Sequence, residues 1–104
     1  MTRIFYIEFM WHSVYIKQDD IVFREIAGEF ILVPIRGKLA DMQRIFTLES
    51  VGEHIWQELD GKKTLTDILN SVLDQFDVVK ATAESDIADF IHELLDAKLI
   101  VEVR

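Results

Sequence analysis

Hydrophobic positions along this chain change their period once, between Leu48 and Ser50. Just before the change, Arg44-Ile45-Phe46-Thr47-Leu48 reads as a short strand of bulky and β-branched residues. Just after it, Val51, Ile55 and Leu59 recur at i, i+4 and i+8 with Trp56 beside them, which predicts an amphipathic helix. Ser50 stands three residues before Glu53, the spacing of a reciprocal helix cap. Asp60-Gly61 then stops the helix, because glycine takes the left-handed conformation at little cost. Nearly everything before this joint reads as sheet, and nearly everything after it as helix.

The chain begins with an apolar arm in which ten of the thirteen residues 4–16 are apolar, many of them aromatic or β-branched. A membrane span needs about 20 such residues, and Glu8, His12 and Ser13 interrupt this run. No small-residue cleavage site follows it, so a signal peptide is not expected. The arm is expected to pack on its own domain or on a second copy; a sharper alternative is that it occupies or regulates a binding groove. Met10 is an alternative start. The pattern divides the chain into an arm, residues 1–19, and a folded domain, residues 20–104.

After the polar break Gln18-Asp19-Asp20, residues 21–26 form the first strand of the domain. Ala27-Gly28 is a two-residue turn, and residues 29–35 form the second strand, with Pro34 near its end because proline cannot donate to a ladder. A connection over residues 36–42 leads to the strand at 44–48. Short loops make this an antiparallel meander, and its third strand is an edge with few guards. Downstream of Lys62-Lys63, Thr64 and Asp67 give a second cap signal, followed by a helical stripe from Leu65 to Phe76. A third helix, capped by Thr82 or a neighbour, carries Ile87, Phe90, Ile91, Leu94 and Leu95. Residues 99–103 read as a closing strand or a packed tail. The fold class is therefore α+β, a three-stranded antiparallel sheet followed by three helices. The apolar face of the third helix is wide, extending through Ala88, Ile91 and Leu95 towards His92; such a helix is either buried between two neighbours or lines a groove.

A chain of 104 residues with half of them apolar is long enough for one core without disulfides. It has no cysteine, which removes thiolate metal sites and cysteine nucleophiles and is compatible with the cytosol. The net charge of −8 is uneven: residues 1–48 carry six acidic and six basic side chains, and residues 49–104 carry thirteen and five. That balance repels a phosphate backbone. His12, His54 and His92 sit in different elements without metal-ligand spacing, Ser50 is explained by its capping position, and the four glycines are scattered. No catalytic group, metal site or cofactor is expected. What remains is an exposed strand edge beside a helix with surplus apolar surface, an arrangement that binds an extended peptide by strand addition.

The stretches DIVFREIAGEFILVP, RIFTLESVGEHIWQELDGKKTLTDIL and FDV followed by a helix ending LLDAKLI resemble the PqqD-like family of pyrroloquinoline quinone biosynthesis and related peptide-modifying pathways. The likeness covers about four-fifths of the chain. It implies a winged-helix-like recognition element that binds the leader of a ribosomally made precursor peptide and presents it to a modifying enzyme, often a radical SAM protein. Carried onto this sequence, the peptide would run along Arg44, Ile45, Phe46 and Thr47 and touch Ala88, Ile91, His92 and Leu95. Three positions depart from the family pattern. Glu49 replaces the usual asparagine before the first helix, which moves the expected cap to Ser50. Lys98 replaces a glycine after the third helix and must turn left-handed or end the helix differently. The arm has no family counterpart, which leaves a homodimer through it as one reading. Other readings are a winged-helix DNA-binding or regulatory protein, which the acids Asp67, Asp74, Asp77, Glu84, Asp86 and Asp89 disfavour, and a structural dimerisation subunit.

Overall fold

The period change at Leu48 is the seam between sheet and helices. The computed structural model describes residues 10–35 and 46–103. Its elements are β1 (Val14–Lys17), β2 (Ile21–Ile26), β3 (Glu29–Pro34), β4 (Phe46–Leu48), α1 (Ser50–Glu58), β5 (Asp60–Thr64), α2 (Leu65–Gln75), α3 (Lys80–Asp96) and β6 (Ile100–Val103). The α+β class and the order of meander then helices hold, with two further features: a strand between α1 and α2, and a second sheet.

The meander forms an antiparallel sheet in the order β2-β3-β4. Its first turn has Ala27 at φ 53 and Gly28 at φ 83, the doubly left-handed geometry that closes a two-residue hairpin, with Ile26 opposite Glu29. Strand alternation places Phe23, Phe30, Leu32, Phe46 and Leu48 on one face. That face meets the helices, and the Phe23 and Phe30 rings stack at 5.7 Å between centroids. Pro34 ends β3, and the Ile35 N–H turns to the Asp20 carbonyl at 3.0 Å. The expected connection at 36–42, together with Arg44 and Ile45, lies outside the described residues, as do residues 1–9 of the arm.

The second sheet runs β5-β1-β6, all antiparallel, so the part of the arm that is described holds the central strand. Residues 99–103 resolve into the closing strand β6, whose Glu102 lies opposite Tyr15. β5 has no apolar alternation, and its residues read as a helix stop followed by a charged loop. Two forces make it a strand, one local and one distant in sequence. The Asp60 carboxylate accepts the backbone N–H groups of Lys62 and Lys63 at 2.9 and 3.0 Å. These donors, that of Lys63 foremost, hold its carboxyl well below the usual carboxylate range, with the Lys63 ammonium adding at 3.2 Å. Pairing with β1 then fixes Ile16 opposite Asp60 and Val14 opposite Thr64, so β5 uses two more residues than β1 over that interval.

The arm also completes α2. Thr64 and Asp67 form the expected capping box. The next donors, the N–H groups of Leu65 and Thr66, reach the Ser13 and Trp11 carbonyls, both at 3.2 Å, so the orphan donors of the first turn are satisfied from outside the helix. One core receives all layers: Leu32 and Leu48 from the meander, Tyr15 and Ile100 from the second sheet, and Leu65, Ile68, Ile87 and Leu94 from the helices.

Three helix ends depart from expectation. α1 is capped at Glu49 without a side-chain bond, and Ser50 is its first helical residue; the bond from the Glu53 N–H to the Glu49 carbonyl, 2.7 Å, starts the helix directly after buried Leu48. Leu59, drawn into the core, ends α1, while Gly61 at φ 80 serves the β5 turn. α3 begins at Lys80 after a cap at Val79, because the Ala83 N–H already reaches the Val79 carbonyl at 2.9 Å, which puts Thr82 inside the helix.

At the other end of α3, Lys98 adopts φ 63. Its N–H bonds the Leu95 carbonyl and that of Leu99 bonds the Leu94 carbonyl, the paired closure usually built on glycine. A left-handed non-glycine residue costs about 1–2 kcal/mol, and glycine's greater freedom when unfolded returns part of that. Lys98→Gly is therefore expected to stabilise the chain by about 0.5–1 kcal/mol, read as a higher midpoint in thermal unfolding; a lower midpoint contradicts the strain argument.

Candidate functional site

β4 has one neighbour, β3, with Leu48 opposite Phe30, Thr47 opposite Ile31 and Phe46 opposite Leu32. Among the described residues it is the edge strand of its sheet. Beside it opens a cleft of about 510 Å³. One wall is the end of β4 and the start of α1, through Thr47, Leu48, Glu49, Val51 and Gly52. The opposite wall is α3, through Asp86, Asp89, Phe90 and Glu93. Ile55, Val72, Ala83 and Ile87 reach it from the core side.

Gly52 shapes the floor. A methyl group there would meet Phe90 Cζ at 3.7 Å and Leu48 side-chain atoms at 3.8 Å, ordinary contact distances. The space above Gly52 is thus a notch between Leu48 and the Phe90 ring. Phe90 itself is half-buried, one side resting on the core.

Of the residues expected along the strand, Thr47 is exposed on the cleft wall and Phe46 packs against the core, while Arg44 and Ile45 lie outside the described residues. The helix residues fall elsewhere. Ala88 and Ile91 are core, 6% and 0% exposed, and His92 and Leu95 are half-buried. At about 100° per residue, Ala88, His92 and Leu95 face the side of α3 opposite to Asp86, Phe90 and Glu93. The wide apolar face therefore reflects a helix packed on two sides. The cleft takes the flank where an aromatic residue stands among carboxylates, at 86, 89 and 93 around 90. That mixture was the available sequence signal, and it is masked by how closely it imitates a solvated face.

The histidines do not assemble a reactive centre. His54 Nε2 and Ser71 Oγ form a hydrogen bond of 2.8 Å between α1 and α2, and the His54 ring meets Phe76 edge-on at 5.5 Å. Among the described residues no three His, Cys, Asp or Glu side chains are placed to hold a metal ion. No described helix is long and apolar enough to cross a membrane.

An α+β domain with an open cleft beside an edge strand is neither a barrel nor a doubly wound sheet. Residues 29–100 match the family described as Coenzyme PQQ synthesis protein D (PqqD), and the chain belongs to that family. Two solved structures are similar. TbiB1, in complex with the TbiA(beta) leader peptide, is 26% identical, with a TM-score of 0.66 over 82% of this chain and 93% of that one. A lasso peptide synthetase B1 complexed with the leader peptide is 16% identical, with a TM-score of 0.68 over 84% of this chain and 96% of that one, a likeness of fold alone. No curated protein matches the sequence. The family match starts at Glu29, so β1 and β2 precede it.

Proposed function

We propose that this chain is a non-catalytic recognition module of the cytoplasm that holds the leader of a ribosomally made precursor peptide and presents it to a modifying enzyme, of radical SAM or another type. The leader lies as an added strand along Arg44, Ile45, Phe46 and Thr47, with its inward side chains over the notch at Gly52 and against Phe90. The observation that carries this reading is the apolar-floored cleft beside β4, the edge strand of its sheet among the described residues, in a member of the PqqD family. Membership of that family and the two leader-peptide complexes of similar fold support it. A backbone ladder supplies affinity without regard to sequence, and the pockets for alternate side chains supply specificity. Nucleic acid is a poor occupant, because the ionisable groups of the α3 wall, Asp86, Asp89 and Glu93, are all carboxylates.

The test is a titration of isotope-labelled protein with a leader peptide encoded beside this chain's gene, followed through backbone amide shifts. Shifts should concentrate on Thr47, Leu48, Gly52 and residues 86–93. If they gather instead on β5 and β6, or if no neighbouring leader moves any amide, strand addition at β4 is the wrong mechanism.

A further inference from the structure

Among the described residues, every ionisable side chain that lines the cleft is acidic: Glu49 on one wall, and Asp86, Asp89 and Glu93 on the other. No Lys or Arg among the described residues lines it. Asp86, Asp89 and Glu93 are exposed, and none of the three makes an ion pair among the described residues. The first and last lie seven positions apart on α3, about 10 Å along the helix axis, close to the length of three residues of extended strand. Between the acidic walls the floor is apolar, and a methyl group above Gly52 would rest in ordinary contact with Leu48 and Phe90.

From this we infer that the occupant of the cleft is a peptide strand with an apolar anchor flanked by Lys or Arg, the anchor seated above Gly52 and the flanking cations read by Asp86, Asp89 and Glu93. The inference rests on the peptide-binding reading above and names the class of peptide. Its physical basis is complementarity on two scales. The floor accepts an uncharged side chain and offers no partner to a charged one, since burying an unpaired charge is prohibitive. The acidic rim rejects acidic segments by like-charge repulsion and raises the encounter rate of basic ones. Long cationic side chains suit such a rim, because their stems lie along apolar surface while the charged ends stay in water. The uneven charge of the chain acts in the same direction, since its entire acidic excess lies in the half that builds α1 and α3.

Three fluorescein-labelled twelve-residue peptides test it, alike in an alternating Val/Leu centre and different in their flanks, which are Lys, Gln or Glu. Titrated against the whole chain at low salt, they should bind in the order Lys, Gln, Glu. About tenfold is expected between the first two, the sum of several exposed ion pairs. The gap should close towards 1 M salt, where the Debye length is about 3 Å. The variant D86N/D89N/E93Q should lose more affinity for the Lys peptide than for the Gln peptide. Equal binding of the Lys and Gln peptides overturns the charge reading and leaves strand addition intact. If none of the three moves the anisotropy, the cleft does not take strands of this class and the inference fails, whereas the peptide-binding reading fails separately, on the encoded leader.

Discussion

Removing residues 1–17 is expected to abolish cooperative folding. The deletion takes away β1, the strand between β5 and β6, and leaves those two without a common neighbour. Buried Met10 and Tyr15 go with it, each worth about 1.5–3 kcal/mol of apolar burial. So do the Trp11 and Ser13 carbonyls that accept from the first turn of α2, at about 1 kcal/mol for each lost bond. Against a typical domain stability of about 5–15 kcal/mol, the combined loss leaves little. A chain that begins at Met10 keeps every one of these contacts. Thermal unfolding followed by circular dichroism separates the two truncations: the longer one should melt without a transition and the shorter one with a clear midpoint. A sharp, native-like transition after removal of residues 1–17 would show that the second sheet is dispensable.

The second large effect is at Gly61, where Gly61→Ala is expected to cost about 2–3 kcal/mol. Gly61 sits at φ 80, which any side chain resists. A methyl group there would also stand 2.9 Å from Ile16 Cδ1 and 3.4 Å from Ile16 Cβ. The Cδ1 atom can rotate away, since Ile16 is 41% exposed, but Cβ is fixed by the strand. Ile16→Ala in the same chain removes the two nearest atoms, Cδ1 and Cγ1, and leaves the 3.4 Å Cβ contact and the backbone part, so the pair should show a favourable coupling in a double-mutant cycle. Chemical denaturation of the four chains measures it. A Gly61→Ala chain as stable as the original, or one whose loss is indifferent to residue 16, would remove the argument.

The meander is legible in the sequence because its signals are local and agree. Ala27-Gly28 supplies the turn, the apolar runs on either side fix the register, and Pro34 marks where β3 stops. The cap of α2 is equally plain, since Thr64 and Asp67 bond each other's backbone across three residues. β5 is not legible. Asp60-Gly61-Lys62-Lys63-Thr64 contains no apolar residue, and it becomes a strand through a carboxylate on its own backbone and a partner more than forty residues upstream. The caps of α1 and α3 mislead for a related reason. Ser50 and Thr82 are favourable cap residues, but burial of Leu48 and Ala83 sets where the chain enters each helix. Tertiary packing outweighs a capping preference of about 1 kcal/mol.

At the cleft, the sequence points to the strand edge and to α3, and the α3 residues that line the cleft stand half a turn from the apolar side it singles out. Apolar periodicity in α3 reports the core, as Ala88 and Ile91 show. The flank that remains open carries Phe90 among three acids, and a pattern of that kind is shared by solvated faces and by binding walls. Only the position of β4 distinguishes them.

The pairing of β1 with β6 has a kinetic side. Tyr15 and Glu102 are neighbours in space and nearly the whole chain apart in sequence, whereas β2, β3 and their turn close over a few residues. Loop-closure entropy makes distant contacts slow to form and local ones fast. The β2-β3 hairpin therefore belongs to the early events of folding, and the β5-β1-β6 sheet is the last large element to close. Until it does, β1 is an unclaimed apolar strand, exposed to pairing with other chains for as long as β6 has not reached it.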